Sequence, residues 1–440
     1  MAYLPVEALE VRLWGRTIGA VALDPGTRYY AFQYSARYIS RDAIEPAPIA
    51  MPLARGTVPH VFPLLSEQTY YRLPAMLADA LPDRFGNALI DAWMGTNGVT
   101  AASITPLDRL AYMGSRGMGA LTFRPNRGPA VRKNATGIEL AQLVEAARKT
   151  VHGELNADDV AEATLQQIIR VGTSAGGARA KAVIGYNPGT REVVTGQFDV
   201  PPGFEHWLLK FDGIRPTYKD LGATETYGRI EYAYFLMARE AGLDMHPCEL
   251  LKENGRAHFM TKRFDRDAGG VRHHMQSLCA LAGMDYNLVA VHSYHQLFDT
   301  MVTMKLPRAA LVEGLRRLVF NVLAANNDDH PKNFSFLWKQ GGTGWELSPA
   351  YDVTLAYDPA SKWVSKHMMS VNGKFDAITK SDMRAVAERY SLLADFNAVY
   401  EQVEVAVSRW REFADAAEVS SDEQARVKLI LDGLSASSTA

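Results

Sequence analysis

The stretch Asn326-Asn327-Asp328-Asp329-His330-Pro331-Lys332-Asn333 sets an aspartate five positions ahead of an asparagine, with four residues between them. In phosphoryl transfer an aspartate so placed accepts the proton of the attacking hydroxyl, and the asparagine amide oxygen holds a magnesium ion. Asp328 and Asn333 have this spacing and Asp329 does not, so Asp328 is the expected base. Downstream, Asp352 in Pro349-Ala350-Tyr351-Asp352-Val353 offers a second hard oxygen. Magnesium needs few protein ligands because it keeps water and binds phosphate oxygens. Upstream, Lys210 lies in the apolar run His206-Trp207-Leu208-Leu209-Lys210-Phe211, where an ammonium is costly without a partner. The phosphates of ATP would be one such partner, with Glu231 as the carboxylate that holds the lysine. The segment from Arg170 to Lys181 contains Gly172, Gly176 and Gly177, whose backbone amides can approach a phosphate chain, and Lys181 adds charge.

Taken singly, each feature also has an ordinary structural reading. Glycine clusters mark turns. This one fits neither the P-loop, because Ala178 follows Gly177, nor the dinucleotide fingerprint. Lys210 suits an edge-strand lysine reaching water, and Asp328 with Asn333 suits an acidic turn. Asp352 alone says less still. The order along the chain is what joins them: glycine-rich loop, strand lysine, helix, extended connector, helix, polar Asp/Asn loop, second aspartate. That order is the skeleton of a two-lobed kinase.

The elements needed to position these groups are visible in the hydrophobic patterning. Leu9-Glu10-Val11-Arg12-Leu13 alternates with period two, and Gly15 and Gly19 punctuate strands over residues 6–40. Residues 75–95 read as helical, with Pro82-Asp83 marking a start inside them. Residues 126–137 read as a loop. Ile230, Ala233, Tyr234, Met237, Ala238 and Ala241 make a helical stripe that Gly242 closes. After 306 the pattern is mostly helical, broken by the polar loop at 326–335 and by Tyr351-Asp352-Val353. The expected fold is α+β: a β-rich N-terminal lobe with an extra N-terminal subdomain, mostly β with some helix, over 1–125. The rest of that lobe, with glycine loop and lysine strand, would span 126–265, and a helical C-terminal lobe 266–440. ATP is expected in the cleft between the lobes.

Composition narrows the partners. Apolar residues make up 47% of the chain and charged residues 22%, ordinary globular values. A net charge of −2 gives no global field for nucleic acid or anionic lipid, so DNA contact would go through a partner. Two cysteines, Cys248 and Cys279, make neither a disulfide framework nor a zinc site. Met1 to Arg16 lacks a basic region followed by an apolar one, and no run of about 18 apolar residues occurs, so a soluble, cytoplasmic protein without membrane association is expected.

The run from Ala325 to Phe336 resembles the catalytic loop of the HipA family of serine/threonine kinase toxins, and Leu347 to Val353 resembles that family's metal-binding segment. Met260-Thr261-Lys262-Arg263-Phe264-Asp265-Arg266 is similar to its adenine-contacting hinge, Ser174 to Lys181 to its phosphate loop, and His206 to Phe211 to its lysine strand. Weaker similarity spans Asp108-Arg109-Leu110 to Gly119-Ala120-Leu121. The phosphate loop departs from the usual more polar pattern in having Arg179-Ala180 before Lys181.

The resemblance implies Asp328 as base and Asn333 with Asp352 as Mg²⁺ ligands. It implies ATP contacts from Gly176, Gly177, Ala178, Arg179, Ala180, Lys181, Lys210, Lys332, Asn333 and the backbone of Lys262, Arg263 and Phe264. His330 would either touch nucleotide or serve as a hydrogen-bonded structural histidine. It further implies autophosphorylation of Ser174, with Thr173 as the neighbouring alternative. A phosphate there adds about −1.5 to −2 charge where ATP's own phosphates must sit, and so would switch the kinase off. The implied partners are a small HipB-like DNA-binding antitoxin and a protein substrate such as an aminoacyl-tRNA synthetase. A second class of function is a kinase-like ATP-binding module acting as corepressor with that antitoxin. A small-molecule or lipid kinase is a third. The family's signature set of Lys210, Asp328, Asn333 and Asp352 favours an active enzyme, since a scaffold needs no magnesium ligands.

Overall fold

Strand β1 (Ala8–Leu13) buries Leu9, Val11 and Leu13 and turns Glu10 and Arg12 outward, the alternation its sequence carries. It lies between β2 (Arg16–Leu23) and β4 (Leu121–Arg124) in an antiparallel sheet of order β3-β2-β1-β4, with β3 over Tyr30–Tyr34. Gly19 is needed there: a Cβ would sit 2.2 Å from the Gln33 carbonyl oxygen. The computed structural model describes residues 3–40, 44–129, 137, 140–152, 180–212, 227–267 and 269–438.

These residues form two compact units, one of Met1–Thr217, Lys262–Asp285 and Leu337–Gly344, the other of Tyr218–Thr261, Tyr286–Phe336 and Trp345–Ala440. The first holds the four-stranded sheet and the helix Arg84–Thr96, which Asp83 caps by accepting from the Gly86 amide. It also holds β5 (Lys181–Tyr186), flanked antiparallel by β6 (Val193–Thr195) and β7 (Glu205–Lys210). All six residues of β5 are buried, which explains an apolar run without alternation.

The second unit contains β8 (Cys248–Glu253), paired antiparallel with β9 (Arg256–Lys262), whose last residue belongs to the first unit. Its helix Tyr227–Glu240 buries Ile230, Ala233, Tyr234, Met237 and Ala238. Gly242, at φ +83°, donates to the Arg239 carbonyl while Leu243 donates to that of Ala238. This paired closure needs a left-handed residue, hence glycine. The helices Tyr294–Thr303, Arg308–Leu323, Lys380–Arg389, Leu393–Ser408, Trp410–Ala416 and Ser421–Ser438 follow. The mostly helical reading after 306 misses the short strands Ser335–Trp338, Trp345–Leu347 and Met369–Ser370. Among the described residues no helix is long and apolar enough to cross a membrane.

Two buried histidines in the first unit give a pH dependence. Burial, with the charges of Arg263 and Arg266, pushes His206 down to about 4, and burial pushes His274 down to about 4. Each donates a ring N–H to a carbonyl, of Gly196 and Pro46 respectively. Unfolded histidine binds its proton near 6.5, so acid favours the unfolded chain. Stability from these groups is complete above about pH 6.5 and is lost as pH falls towards 4. Thermal midpoints measured from pH 8 to 5 should be flat above 7 and decline below 6.5. A flat profile down to pH 5 would contradict the buried neutral assignment.

Candidate active site

The helix Arg308–Leu323 runs to Ala324, and Ala325 breaks it at φ +53°. Asparagine side chains then shape the exit: Asn326 donates from its backbone to the Asn321 carbonyl and from Nδ2 to Asn321 Oδ1, at 3.0 and 2.8 Å. The Asn327 amide donates to the Ala356 carbonyl and its Nδ2 to that of Val364.

The two adjacent aspartates that follow differ sharply. The Asp328 side chain is 44% exposed, with its Oδ1 3.7 Å from His330 Nε2. The Asp329 side chain is fully buried and accepts from Tyr294 Oη at 2.8 Å, His367 Nδ1 at 3.0 Å and the Met368 amide at 2.7 Å. Asp329 is therefore committed inside the protein, whereas the Asp328 carboxylate is partly exposed beside His330.

His330 begins a single 3-10 turn, Pro331–Asn333. Asn333 closes the loop by donating from Nδ2 to the Asp328 carbonyl at 2.7 Å, which leaves Oδ1 as its acceptor. Lys332 places Nζ 4.9 Å from the centre of the Tyr286 ring, which also packs on His330 with centroids 5.6 Å apart. The Lys332 carbonyl accepts from Tyr351 Oη at 2.7 Å, and that oxygen lies 2.5 Å from Ser335 Oγ. Tyr351, the residue before Asp352, thus ties that segment to the loop.

The segment carrying Asp352 is held by its backbone. Ser348 donates to the Ser335 carbonyl, Ala350 to that of Asp244, and Arg317 Nη2 to that of Ser348. Asp352 itself sits at φ +53°. Aspartate tolerates this region better than most residues, but it still costs on the order of 1 kcal/mol. Such strain persists where the surroundings fix a side chain's direction.

In the first unit Lys181 and Lys210 stand directly opposite each other across β5 and β7, on one face of the sheet, and both are buried. Like charges directly opposite on one sheet face are unfavourable without compensation. The pairing continues as Phe211 donates to the Ala180 carbonyl. Thr173, Ser174, Gly176, Gly177, Ala178 and Arg179 lie outside the described residues. Lys262 bridges Glu205 at 2.6 Å, and the Arg263 amide donates to the His206 carbonyl, while Phe264 is half-buried. Glu231 is buried on the helix Tyr227–Glu240 of the second unit.

Sequence reading missed the cluster around Asp265. Arg263 donates to both its oxygens and Arg266 to Oδ2, as does the Gly119 amide. Arg266 and Arg272 also donate to the carbonyls of Gly117 and Gly119. Burial alone would raise Asp265, but the neighbouring guanidiniums outweigh it and hold the carboxyl well below the usual range. Burial and the charge of Arg263 push Arg272 down to about 10.

Comparison with known proteins matches residues 173–427 to the HipA-like C-terminal domain and residues 9–124 to the HipA N-terminal domain. A chain of the Shewanella oneidensis MR-1 toxin–antitoxin complex of HipA, HipB and operator DNA superposes with a TM-score of 0.67 at 19% identity, covering 98% of this chain and 96% of that one. The likeness shows the fold, a two-lobed, kinase-like α+β architecture. Two Sinorhizobium fredii proteins are similar in sequence. "Putative kinase Y4mE" is 31% identical over 30% of this chain and 34% of its own length, and "Putative kinase Y4dM" 25% over 51% and 56%. The chain thus spans between about a third and about half of the curated relatives it matches.

Proposed function

The chain belongs to the HipA family, and from that premise we propose that it is an ATP- and Mg²⁺-dependent serine/threonine protein kinase acting as the toxin of a type II toxin–antitoxin system. The observation that carries the reading is the contrast within the loop: Asp328 half-exposed beside Asn333, Asp329 withdrawn. Asp328 takes the proton of a substrate hydroxyl, whose oxygen attacks phosphorus. Asn333 Oδ1 and the Asp352 carboxylate are a hard-oxygen pair of the kind Mg²⁺ uses together with phosphate. Lys181 and Lys210 supply the positive charge that a polyphosphate needs, and the buried Glu231 is the proposed partner of Lys210. Mg-ATP, when bound, supplies the phosphoryl group and leaves as ADP. The backbone of Lys262, Arg263 and Phe264 is the proposed adenine contact, with His330 and Lys332 beside the phosphates.

The finer reading follows the family. Ser174, or its neighbour Thr173, would be phosphorylated by the chain itself, and the added charge would oppose renewed closure of the glycine loop. The Shewanella oneidensis chain is assembled with HipB and operator DNA. By that likeness a small HipB-like antitoxin is the proposed partner, with DNA reached through it. A translation component such as an aminoacyl-tRNA synthetase is the proposed substrate class.

Calorimetry with Mg-ATP tests the donor assignment. Lys210→Ala should weaken binding roughly 10- to 100-fold, the loss of a charged hydrogen-bonded contact, and chelating Mg²⁺ should abolish transfer of labelled γ-phosphate. Unchanged affinity in Lys210→Ala would contradict the phosphate role.

A further inference from the structure

Both neighbours of Asp328 are clasped by one segment, the one that follows Asp352. Asn327 bonds to Ala356 through its amide and to Val364 through its side chain, and its carbonyl accepts from Met368 at 3.2 Å. Asp329 takes the amides of Met368 and Met369 on Oδ1, at 2.7 and 3.4 Å, and Tyr294 and His367 on Oδ2. Tyr294 is anchored in turn by Asn321 Nδ2 at 2.9 Å, on the helix that leads into the loop. Residues 369–370 pair in parallel with His292–Ser293 at the start of the Tyr294 helix.

Between two such fixed residues, the backbone of Asp328 has little freedom of its own. A buried carboxylate is an expensive way to achieve packing alone. Apolar residues of similar volume serve stability as well or better, while removing one partner from a buried charged network is severe. Burial and the charge of Asp329 keep the Tyr294 phenol protonated, so it acts as a donor.

We infer that Asp329 is a positioning residue for phosphoryl transfer: through Tyr294, His367 and the amides of Met368 and Met369 it locks the segment after Asp352 onto the loop that carries Asp328, and so sets the base and the metal-binding aspartate in one frame. In switched kinases activation-loop phosphorylation controls such placement. Here a carboxylate built into the loop does it, and the segment 353–371 needs no modification to be docked. The inference rests on the kinase reading given above.

Two variants and two readouts test it. Tyr294→Phe removes one donor at constant shape, and Asp329→Asn removes the charge. Amide hydrogen exchange over residues 326–333 should rise in both, with the helices Leu393–Ser408 and Trp410–Ala416 unchanged. With kcat expressed per ATP-binding site, so that misfolded molecules do not count, Tyr294→Phe should lose about tenfold and Asp329→Asn about a hundredfold. The KM for ATP should stay within about twofold in each. Unchanged loop exchange, or a kcat per site equal to wild type, would overturn the inference. Raised exchange without any wild-type transfer would remove the catalytic role while leaving the anchoring, so failure of the kinase reading is told apart from failure of this one.

Discussion

Asp328→Asn is expected to reduce phosphotransfer by about 10³-fold while leaving Mg-ATP affinity within about twofold. General-base removal costs on the order of 10² to 10⁴ in rate. The substitution keeps the shape and, above all, the backbone carbonyl that Asn333 Nδ2 holds at 2.7 Å. The loop should therefore remain closed and Asn333 Oδ1 remain available. Initial-rate kinetics beside calorimetry check this. A parallel loss of ATP affinity would mean that Asp328 binds the donor, and an active variant would move the base elsewhere. Asn333→Ala differs in kind, since it removes both the proposed oxygen ligand and the closing hydrogen bond, and should lower transfer and Mg²⁺ dependence together.

The largest effect on stability is expected at Asp265. The buried guanidiniums of Arg263 and Arg266 bond to it directly, and the half-buried Arg272 adds a third positive charge nearby. Asp265→Asn removes the negative charge they share. Breaking a buried charge network by deleting one partner costs about 3–5 kcal/mol, so thermal unfolding should move down by roughly 10 °C. Asp267→Asn, two residues on with a side chain 62% exposed beside His273, should change stability by less than about 0.5 kcal/mol. Equal effects at the two positions would refute the buried network. Because the folded-state proton affinity of Asp265 is depressed, its stabilisation is full above about pH 4 and disappears as pH falls further. The histidine contribution disappears earlier, between about 6.5 and 4, so the two can be read from one titration.

The local grammar of the chain was legible. Period-two alternation found β1, the stripe from Ile230 to Ala241 with Gly242 found the helix Tyr227–Glu240, and Pro82-Asp83 found the start of Arg84–Thr96. Those signals depend on neighbours within about four residues. The strand Ser335–Trp338 was not legible, because it is short and a brief apolar run has no period of its own. The tie between Asp265 and Gly119 spans 146 residues, and no local pattern announces it. Within the loop, spacing alone could favour Asp328 over Asp329. Why Asp329 is withdrawn depends on Tyr294 and His367, 35 and 38 residues away, and only the fold brings them together. The facing of Lys181 and Lys210 is a matter of strand register, which the sequence of either strand leaves open.

The chain is proposed to transfer phosphate from ATP with Asp328 as base. The most direct test is phosphopeptide mass spectrometry of the full chain after incubation with Mg-ATP, run beside Asp328→Asn. Phosphate is expected on Ser174, or on adjacent Thr173, in the wild-type chain and none in the variant. Tight binding of Mg-ATP with no phosphate in either protein would contradict the proposal and make the chain a kinase-shaped binding module.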